Sequence, residues 1–320
     1  MQGTKTRHAT ALAALTFALA ALATAAAARS IDQTVAVGEH GKVRVSNVAG
    51  SVKIRGGSGS EVRVTGTADE KVKDVEVTSK AGDVEIEVVL EKEIHGRGGV
   101  ADLVIDVPSG VRLDVQSVSA SVDVDGVKGK LELQSVSGDV TVRGDAEDAE
   151  INTVSGGIDV DGSIGRVESE SVSGATTLRN VADTIEAKTT SGSIDIEAPG
   201  VEKAQCTSVS GEIRFAGAAK KDAELTFENF SGAVELALPT DLDADVTVKT
   251  FSGSIRSEHG GKVERPEFGP GSSLNETFGE GSARIAVNTF SGSVSLSKQG
   301  GERESGSKEK DKEKGKGRRK

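Results

Sequence analysis

A short unit recurs almost to the end of this chain, and it constrains the fold more than any other feature. A representative copy runs from Leu131 to Val142 and reads LELQSVSGDVTV. With its Ser-Gly step as a ruler, equivalent positions are Ala120, Gly138, Gly156, Gly174, Gly192, Gly211, Gly232, Gly253 and Gly292, with an earlier copy at Gly50. The intervals from Ala120 onward are 18, 18, 18, 18, 19, 21, 21 and 39 residues. Fixed-period self-similarity of this kind is typical of stacked structural units.

Each unit carries two short apolar-alternating segments on either side of the glycine, which we number position 0. Positions −7 and −5 are mostly apolar, as in Leu131 and Leu133, and so are +2 and +4, as in Val140 and Val142. Eighteen residues are too few for a strand plus a helix, but they accommodate two or three strands of about five residues. The sequence therefore predicts an all-β fold, a single-chain parallel β-solenoid (β-helix) with 18–21-residue coils and irregular strands at its N-terminal end.

Composition shifts divide the chain into four parts. Residues 29–111 are expected to form an N-terminal β-strand region that caps the solenoid, and residues 112–298 the repeats, with a Gly- and Pro-rich excursion at 257–282. Residues 299–320 contain almost only Gly, Ser, Lys, Glu, Asp and Arg, which predicts a disordered, basic, low-complexity tail.

The first 28 residues have the pattern of a signal peptide. Lys5 and Arg7 precede an apolar run from Ala9 to Ala28, which ends in small residues suited to cleavage before Arg29. The alternative is a retained membrane helix, but the run is rich in Ala and no second apolar segment of about 20 residues follows. We therefore expect an exported protein of the periplasm, the cell surface or the medium, without a transmembrane segment in the mature chain.

Charge and composition argue against several classes of partner. Residues 29–301 contain 28 Lys and Arg against 45 Asp and Glu, a net charge of −17, whereas 302–320 contain 9 against 5, a net of +4. An acidic body disfavours nucleic acid as a partner. Trp and Tyr are absent, which removes the usual aromatic platforms for bases and sugars. The single cysteine, Cys206, excludes an internal disulfide and is expected to be a small buried hydrophobe.

The motifs resemble a bacterial family named putative adhesins, also described as β-strand-repeat proteins of unknown function. The matching pieces are the segment Val107–Val115 (VPSGVRLDV), the serial Ser-Val-Ser-Gly units, and the segment Phe278–Ile285 (FGEGSARI) leading into Thr289-Phe290-Ser291-Gly292. The likeness extends over roughly residues 35–297. It implies an exported, surface or envelope protein and supplies no catalytic residues.

No catalytic constellation is recognisable, and we expect neither an enzyme nor a cofactor. His40, His95 and His259 are 55 and 164 residues apart, which disfavours a zinc site. The recurring serines have no recurring histidine beside them, so we expect their hydroxyls to bond backbone at the corners.

One column of carboxylates leaves two alternatives open. Position −6 holds Asp114, Glu132, Glu150, Glu168 and Glu186 in successive units. Oxygen ligands about 4.8 Å apart could form a calcium strip. The favoured alternative is a solvated face whose like charges are relieved by Arg112, Lys130 and Arg166 at position −8.

Two further columns give structural predictions. Position −2 holds Val118, Val136, Val154, Val172, Thr190, Val209, Phe230, Phe251 and Phe290. We expect it to be core, because an exposed apolar line would invite aggregation; the alternative is a binding stripe. Position +5 alternates in sign, which predicts that Arg143 pairs with Asp125 or Asp161.

The sequence thus predicts a non-enzymatic envelope or surface protein, an adhesin or scaffold that presents a rigid β-solenoid to a surface polymer, glycan or protein. The alternatives are a self-assembling structural rod, with other copies as partners, and, less favoured, a polysaccharide-active β-helix protein.

Overall fold

The computed structural model describes residues 29–38, 40–91, 99–267 and 269–299. The predicted signal peptide and residues 300–320 of the predicted tail lie outside the described residues. Within the described ranges the regular structure is all β, and no helix there is long and apolar enough to cross a membrane. The strands are β1 (Arg29–Ala36), β2 (Lys42–Asn47), β3 (Gly50–Gly57), β4 (Glu61–Ala68), β5 (Val72–Lys80), β6 (Asp83–Leu90), β7 (Ala101–Pro108), β8 (Arg112–Ser117), β9 (Ser121–Asp125), β10 (Lys130–Ser135), β11 (Val140–Arg143), β12 (Ala146–Thr153), β13 (Ile158–Asp161), β14 (Ile164–Ser171), β15 (Thr176–Arg179), β16 (Thr184–Thr189), β17 (Ile194–Ser210), β18 (Ile213–Ser231), β19 (Val234–Leu238), β20 (Ala244–Ser252), β21 (Ile255–Ser257), β22 (Val263–Glu264), β23 (Ser272–Phe278), β24 (Ala283–Ser291) and β25 (Val294–Lys298).

The middle of the chain coils into two parallel ladders of strands. In the first ladder, Leu131 of β10 is the Cα partner of Leu113 in the preceding coil and of Ala149 in the next. In the second ladder, Val140 of β11 lies between Val122 and Ile158. Both ladders therefore step by one 18-residue unit. The long strands β17 and β18 contribute to both ladders.

The core lies between the two ladders. Leu131, Leu133, Val140 and Val142 are all buried, which confirms that positions −7, −5, +2 and +4 point inward. Successive coils share that one core along the stack, because each coil is too small to bury its apolar side chains alone. A further set of buried apolar side chains, which the sequence pattern did not reveal, comprises Val111, Val127, Ile164, Val181 and Val201.

Chain order and stacking order differ at both ends. The parallel strand β2 pairs with both β6 and β8, so the coil of Gly50 lies between the coil of β6 and β7 and that of β8 and β9. At the other end, β24 pairs with both β18 and β20. The coil of Gly292, last in the sequence, is therefore inserted between those of Gly232 and Gly253.

Antiparallel strands close the two ends, so the prediction of a purely parallel solenoid is wrong there and the sheet is mixed. At the N-terminal end β5 pairs with β6, and β4 pairs with β7 and β1. At the C-terminal end β23, from the predicted excursion, pairs with β20 and β22. A short turn can deliver an antiparallel strand, whereas a parallel one needs a crossover. Strands added in this way cover backbone edges that would otherwise invite pairing with another chain.

Candidate functional site

A buried polar side chain occupies position −3 at each Ser-Gly step, and at several of these corners it hydrogen-bonds the backbone. The Ser135 hydroxyl donates to the Gly138 carbonyl at 2.7 Å, and the Ser117 hydroxyl donates to the Ala120 carbonyl at the same distance. The inward alternation that begins at −7 thus continues through −5 to −3. Position −2 must consequently face outward, because successive strand residues point to opposite sides.

The glycine itself is required by the close approach of successive coils. A Cβ at Gly156 would lie 2.1 Å from the carbonyl oxygen of Gly138, and one at Gly174 would lie 1.9 Å from that of Gly156. Both distances are far inside van der Waals contact. The repeated glycine therefore keeps the corner similar from coil to coil, and with it the direction of the side chains at −2.

The result is a continuous exposed line of apolar side chains, which we call the apolar stripe. The prediction that position −2 is core is wrong: its Val and Phe residues are 45–57% exposed. The aromatic residues that do fill the core are Phe215 and Phe227, with ring centroids 5.5 Å apart. In stacking order the stripe is Val118, Val136, Val154, Val172, Thr190, Val209, Phe230, Phe290 and Phe251.

A groove borders the apolar stripe at each end of the solenoid, with a volume of about 530 Å³ beside the N-terminal coils and about 890 Å³ beside the C-terminal ones. One side is the stripe, and the other is the polar column at position −4, which includes Gln116, Gln134 and Asn152 at one end and Glu228, Asn288 and Lys249 at the other. The groove is thus apolar along one wall and polar along the other.

Three stacked phenylalanines form the C-terminal part of the stripe. The Phe290 ring lies 4.9 Å from both Phe230 and Phe251, with interplanar angles of 1° and 8°. Since the rings cover one another's faces, mainly their edges are left for a partner. Pro266 and Pro270 of the excursion bound this stretch of groove.

The acidic column is compensated by bases that come largely from other positions than expected. Buried Asp114 lies 2.8 Å from Lys42 Nζ and 3.0 Å from Arg44 Nε, both in the neighbouring N-terminal coil. Burial raises the pKa of Asp114, but the hydrogen bonds from these two bases outweigh it and leave the pKa lowered.

Further along the column, only one of the three predicted bases pairs with a column member. Arg166 lies 2.8 Å from Glu168, whereas Lys130 approaches Asp148 at 3.9 Å, outside the column. Lys188 contacts Glu186 at 2.6 Å and Glu170 at 3.1 Å, and these hydrogen bonds raise its pKa to about 12. Within the described ranges, no salt bridge involves Arg112 or Glu150.

The predicted partners of the position +5 arginines are wrong, although the register is as expected. Arg143 is the Cα partner of both Asp125 and Asp161. Its guanidinium instead reaches Asp123 at 2.9 Å, and Arg179 likewise reaches Asp159 at 2.9 Å. An arginine that leans along the strand meets the carboxylate two residues back in the preceding coil.

Other candidate groups lie away from the groove. The His259 ring packs edge-on against Phe278, 5.9 Å between centroids, and contacts the Ser297 carbonyl. His95 lies outside the described residues. Cys206 is buried, as expected, and burial raises its thiol pKa to about 12. In the part of the chain that the structure describes, no three His, Cys, Asp or Glu side chains are grouped to hold a metal ion.

The chain matches the family model described as Toastrack DUF4097 over residues 28–184 and 163–297. No curated protein shows significant similarity. Solved structures with a similar fold include a putative adhesin of Parabacteroides merdae, at 10% identity, covering 84% of this chain and 96% of that one, with a TM-score of 0.49. A putative lipid binding protein of Parabacteroides distasonis shares 13% identity over 84% of this chain and 96% of that one, with a TM-score of 0.44. A putative adhesin of Bacteroides fragilis shares 12% identity over 84% of this chain and 97% of that one, with a TM-score of 0.38.

The two family matches overlap and together span residues 28–297, well over half of the 320-residue sequence. They extend over the repeats that suggested the resemblance and over the strands that close both ends of the solenoid. The chain therefore belongs to the Toastrack DUF4097 family, an all-β family of unknown function with structural neighbours named putative adhesins.

Proposed function

We propose that this protein is a non-enzymatic, exported envelope or surface protein that uses the apolar stripe as its binding surface. The observation that carries the proposal is the line of exposed Val and Phe side chains along the solenoid, interrupted once by Thr190. Exposed apolar patches of several hundred Å² on soluble proteins mark interaction sites. A rod with a linear binding face suits an adhesin or a scaffold.

The rigidity of the solenoid supports this role. The coils share a single core, and hydroxyl hydrogen bonds such as that of Thr153 to the Gly156 carbonyl, at 2.8 Å, close their corners. The stripe is therefore preorganised, and a partner need not order it on binding.

Binding agrees better than catalysis with what lines the groove. Its walls are Val and Phe side chains on one side and Gln, Asn, Thr, Glu and Lys side chains on the other. Among the described residues, no histidine or cysteine lines the groove at either end of the solenoid. Because the three phenylalanine rings cover one another, a sugar chain would find few free aromatic faces, which disfavours a polysaccharide-active protein.

The apolar run that precedes Arg29 supports export, and the acidic solenoid followed by a basic segment suits a protein held at an envelope. The capped ends speak against the alternative of a rod assembled end to end. Strands β4, β5 and β23 occupy the outer edges of β7, β6 and β20, whereas the short strand β21 of the last coil pairs on one side, with β25.

Cell fractionation tests the proposal. Full-length protein is expressed in bacteria in three forms: wild type, a stripe variant with Phe230→Ser, Phe251→Ser and Phe290→Ser, and the control Val100→Ser. Val100 is 42% exposed but lies outside the stripe. We expect wild type and control in the envelope or at the surface, and the stripe variant folded, exported and released. A cytoplasmic wild type, or a stripe variant retained as well as wild type, would contradict the proposal.

A further inference from the structure

We propose that the partner that covers the apolar stripe is a second copy of this chain, so that the protein is a closed two-fold dimer joined along its stripes. This inference rests on the proposed function, because it names the occupant of the same surface; the dimer then presents its remaining surface to the envelope twice, and loss of that bivalency releases the triple Phe→Ser variant. The argument uses the repeat of the stripe, its area, its shape and the distribution of apolar residues over the rest of the surface.

The first step concerns repeat distance. Nine side chains at position −2 stand in register on neighbouring parallel strands, so the stripe advances about 4.8 Å per coil and runs for roughly 38 Å. A partner that fits all of it must be straight, of comparable length and of the same repeat. A second copy meets these three conditions by identity.

The second step concerns area. The five valines and three phenylalanines of the stripe are about half exposed and together present on the order of 600 Å² of apolar side chain. Two stripes brought together would bury about 1,200 Å² before any flanking residue is counted. That reaches the lower end of the range of about 1,200–2,000 Å² found for stable protein interfaces.

The third step concerns shape. The stripe is a ridge, and the groove that separates it from position −4 runs parallel to it. A two-fold axis that lies between the two copies, parallel to the solenoid axis, places the ridge of each copy in the groove of the other. Near the N-terminal coils the ridge of Val118, Val136 and Val154 would then lie beside the uncharged Gln116, Gln134 and Asn152. At the other end the facing column holds Glu228 and Lys249, whose opposite charges lie on either side of Asn288.

The fourth step explains why association stops at two copies. Among the described residues, Val100 is the one large apolar side chain outside the stripe that is strongly exposed. Antiparallel strands pair with the outer edges of β6, β7 and β20 at the ends of the solenoid. Once two stripes face each other, no second apolar face is left to recruit a third copy, and an isologous contact of this kind closes on itself.

Sedimentation equilibrium of the purified protein tests the dimer. The samples are wild type, the triple Phe→Ser variant and Val100→Ser, all processed to the same N terminus. We expect twice the mass of the processed monomer, which is the 32.8 kDa chain less residues 1–28, for wild type and Val100→Ser. In the triple variant the dimer dissociation constant should rise at least about tenfold. Circular dichroism confirms that each variant is folded. A monomeric wild type, or a triple variant that dimerises as tightly as wild type, overturns the inference.

Cross-linking locates the contact. Thr190 lies near the middle of the stripe, and the native Cys206 is buried, so Thr190→Cys introduces a single accessible thiol. A disulfide requires Cα atoms about 4.4–6.8 Å apart. Under mild oxidation we expect a covalent dimer of Thr190→Cys and none of Val100→Cys; the reverse result overturns the inference. A monomeric wild type whose Phe variant nevertheless leaves the envelope would refute the second copy and leave the proposed function standing.

Discussion

Phe230 stacks directly on Phe290, with their ring centroids 4.9 Å apart, although Phe251 lies between them in the sequence. Phe251 stacks on the far face of Phe290. This order arises because the last coil of the chain inserts between two earlier ones. The insertion places Phe290 between two earlier phenylalanines of the apolar stripe, so the make-up of the stripe depends on how the end of the chain folds back into the stack.

Replacing a stripe valine should cost little folding stability. Val136 is 45% exposed, so we expect Val136→Ser to change the free energy of unfolding by no more than about 0.5 kcal/mol. Leu133, three residues earlier and fully buried, should lose about 2–5 kcal/mol on replacement by Ala. Urea denaturation at low protein concentration compares the two. Equal losses would mean that position −2 is packed inside after all.

Two adjacent glycines should respond differently to alanine. A Cβ at Gly156 would lie 2.1 Å from the Gly138 carbonyl oxygen, whereas at Gly157 the nearest atom would be 3.5 Å away. We expect Gly156→Ala to lower the unfolding free energy by at least about 1–3 kcal/mol because the coils must separate. Gly157→Ala, the matched control, should be close to neutral. Thermal unfolding of both variants decides; an unaffected Gly156→Ala would show that the corners are not closely stacked.

Neutralising the middle of the acidic column should stabilise the fold. Glu150 lies between Glu132 and Glu168 in register. We expect Glu150→Gln to raise the unfolding free energy by about 0.2–1 kcal/mol at low salt, because it removes like-charge repulsion between neighbouring strands. The gain should shrink in 1 M salt. Glu168→Gln, which also loses the contact with Arg166, should gain less; a larger gain for Glu168→Gln would refute this interpretation.

The calcium strip stays a prediction that calorimetry can decide. Because Lys42, Arg44, Arg166 and Lys188 already contact members of the column, we expect millimolar calcium to produce no binding heat and no shift of the melting temperature. A saturable heat that Glu150→Gln weakens would instead establish the strip.

Asp114 should make the fold sensitive to acid. Its pKa is lowered in the folded state by Lys42 and Arg44, so its stabilising effect is present above the unfolded pKa of about 3.9 and is lost as the pH falls through the folded value. We expect Asp114→Asn to destabilise the protein by about 1–3 kcal/mol at pH 7 and to flatten the loss of stability below pH 4. Asp125→Asn, at an exposed position, is the control. If the unfolding free energies of wild type and Asp114→Asn fell in parallel with pH, Asp114 would not be the source of the acid sensitivity.

Much of the coil could be predicted because the strand alternation is local. The spacing of Leu131, Leu133, Val140 and Val142 determines which face is buried, whatever the coil stacks against. The inward serine at −3 carried a usable signal for the outward direction of Val136, since the same alternation continues through Ser135. The risk of aggregation favours burial of an apolar column, but here the alternation along the strand decides the direction of Val136.

The sequence by itself determined the repeat, the all-β class, the inward positions and the glycine at each corner, because these depend on contacts within one coil or between a coil and its copy. Only the tertiary structure decided which coils are neighbours at the two ends, which base reaches Asp114 and in what order the phenylalanines stack. Those contacts join residues far apart in the chain, such as Lys42 with Asp114 and Phe230 with Phe290. A repeat in which the coils resemble one another carries no local information about which of them pair.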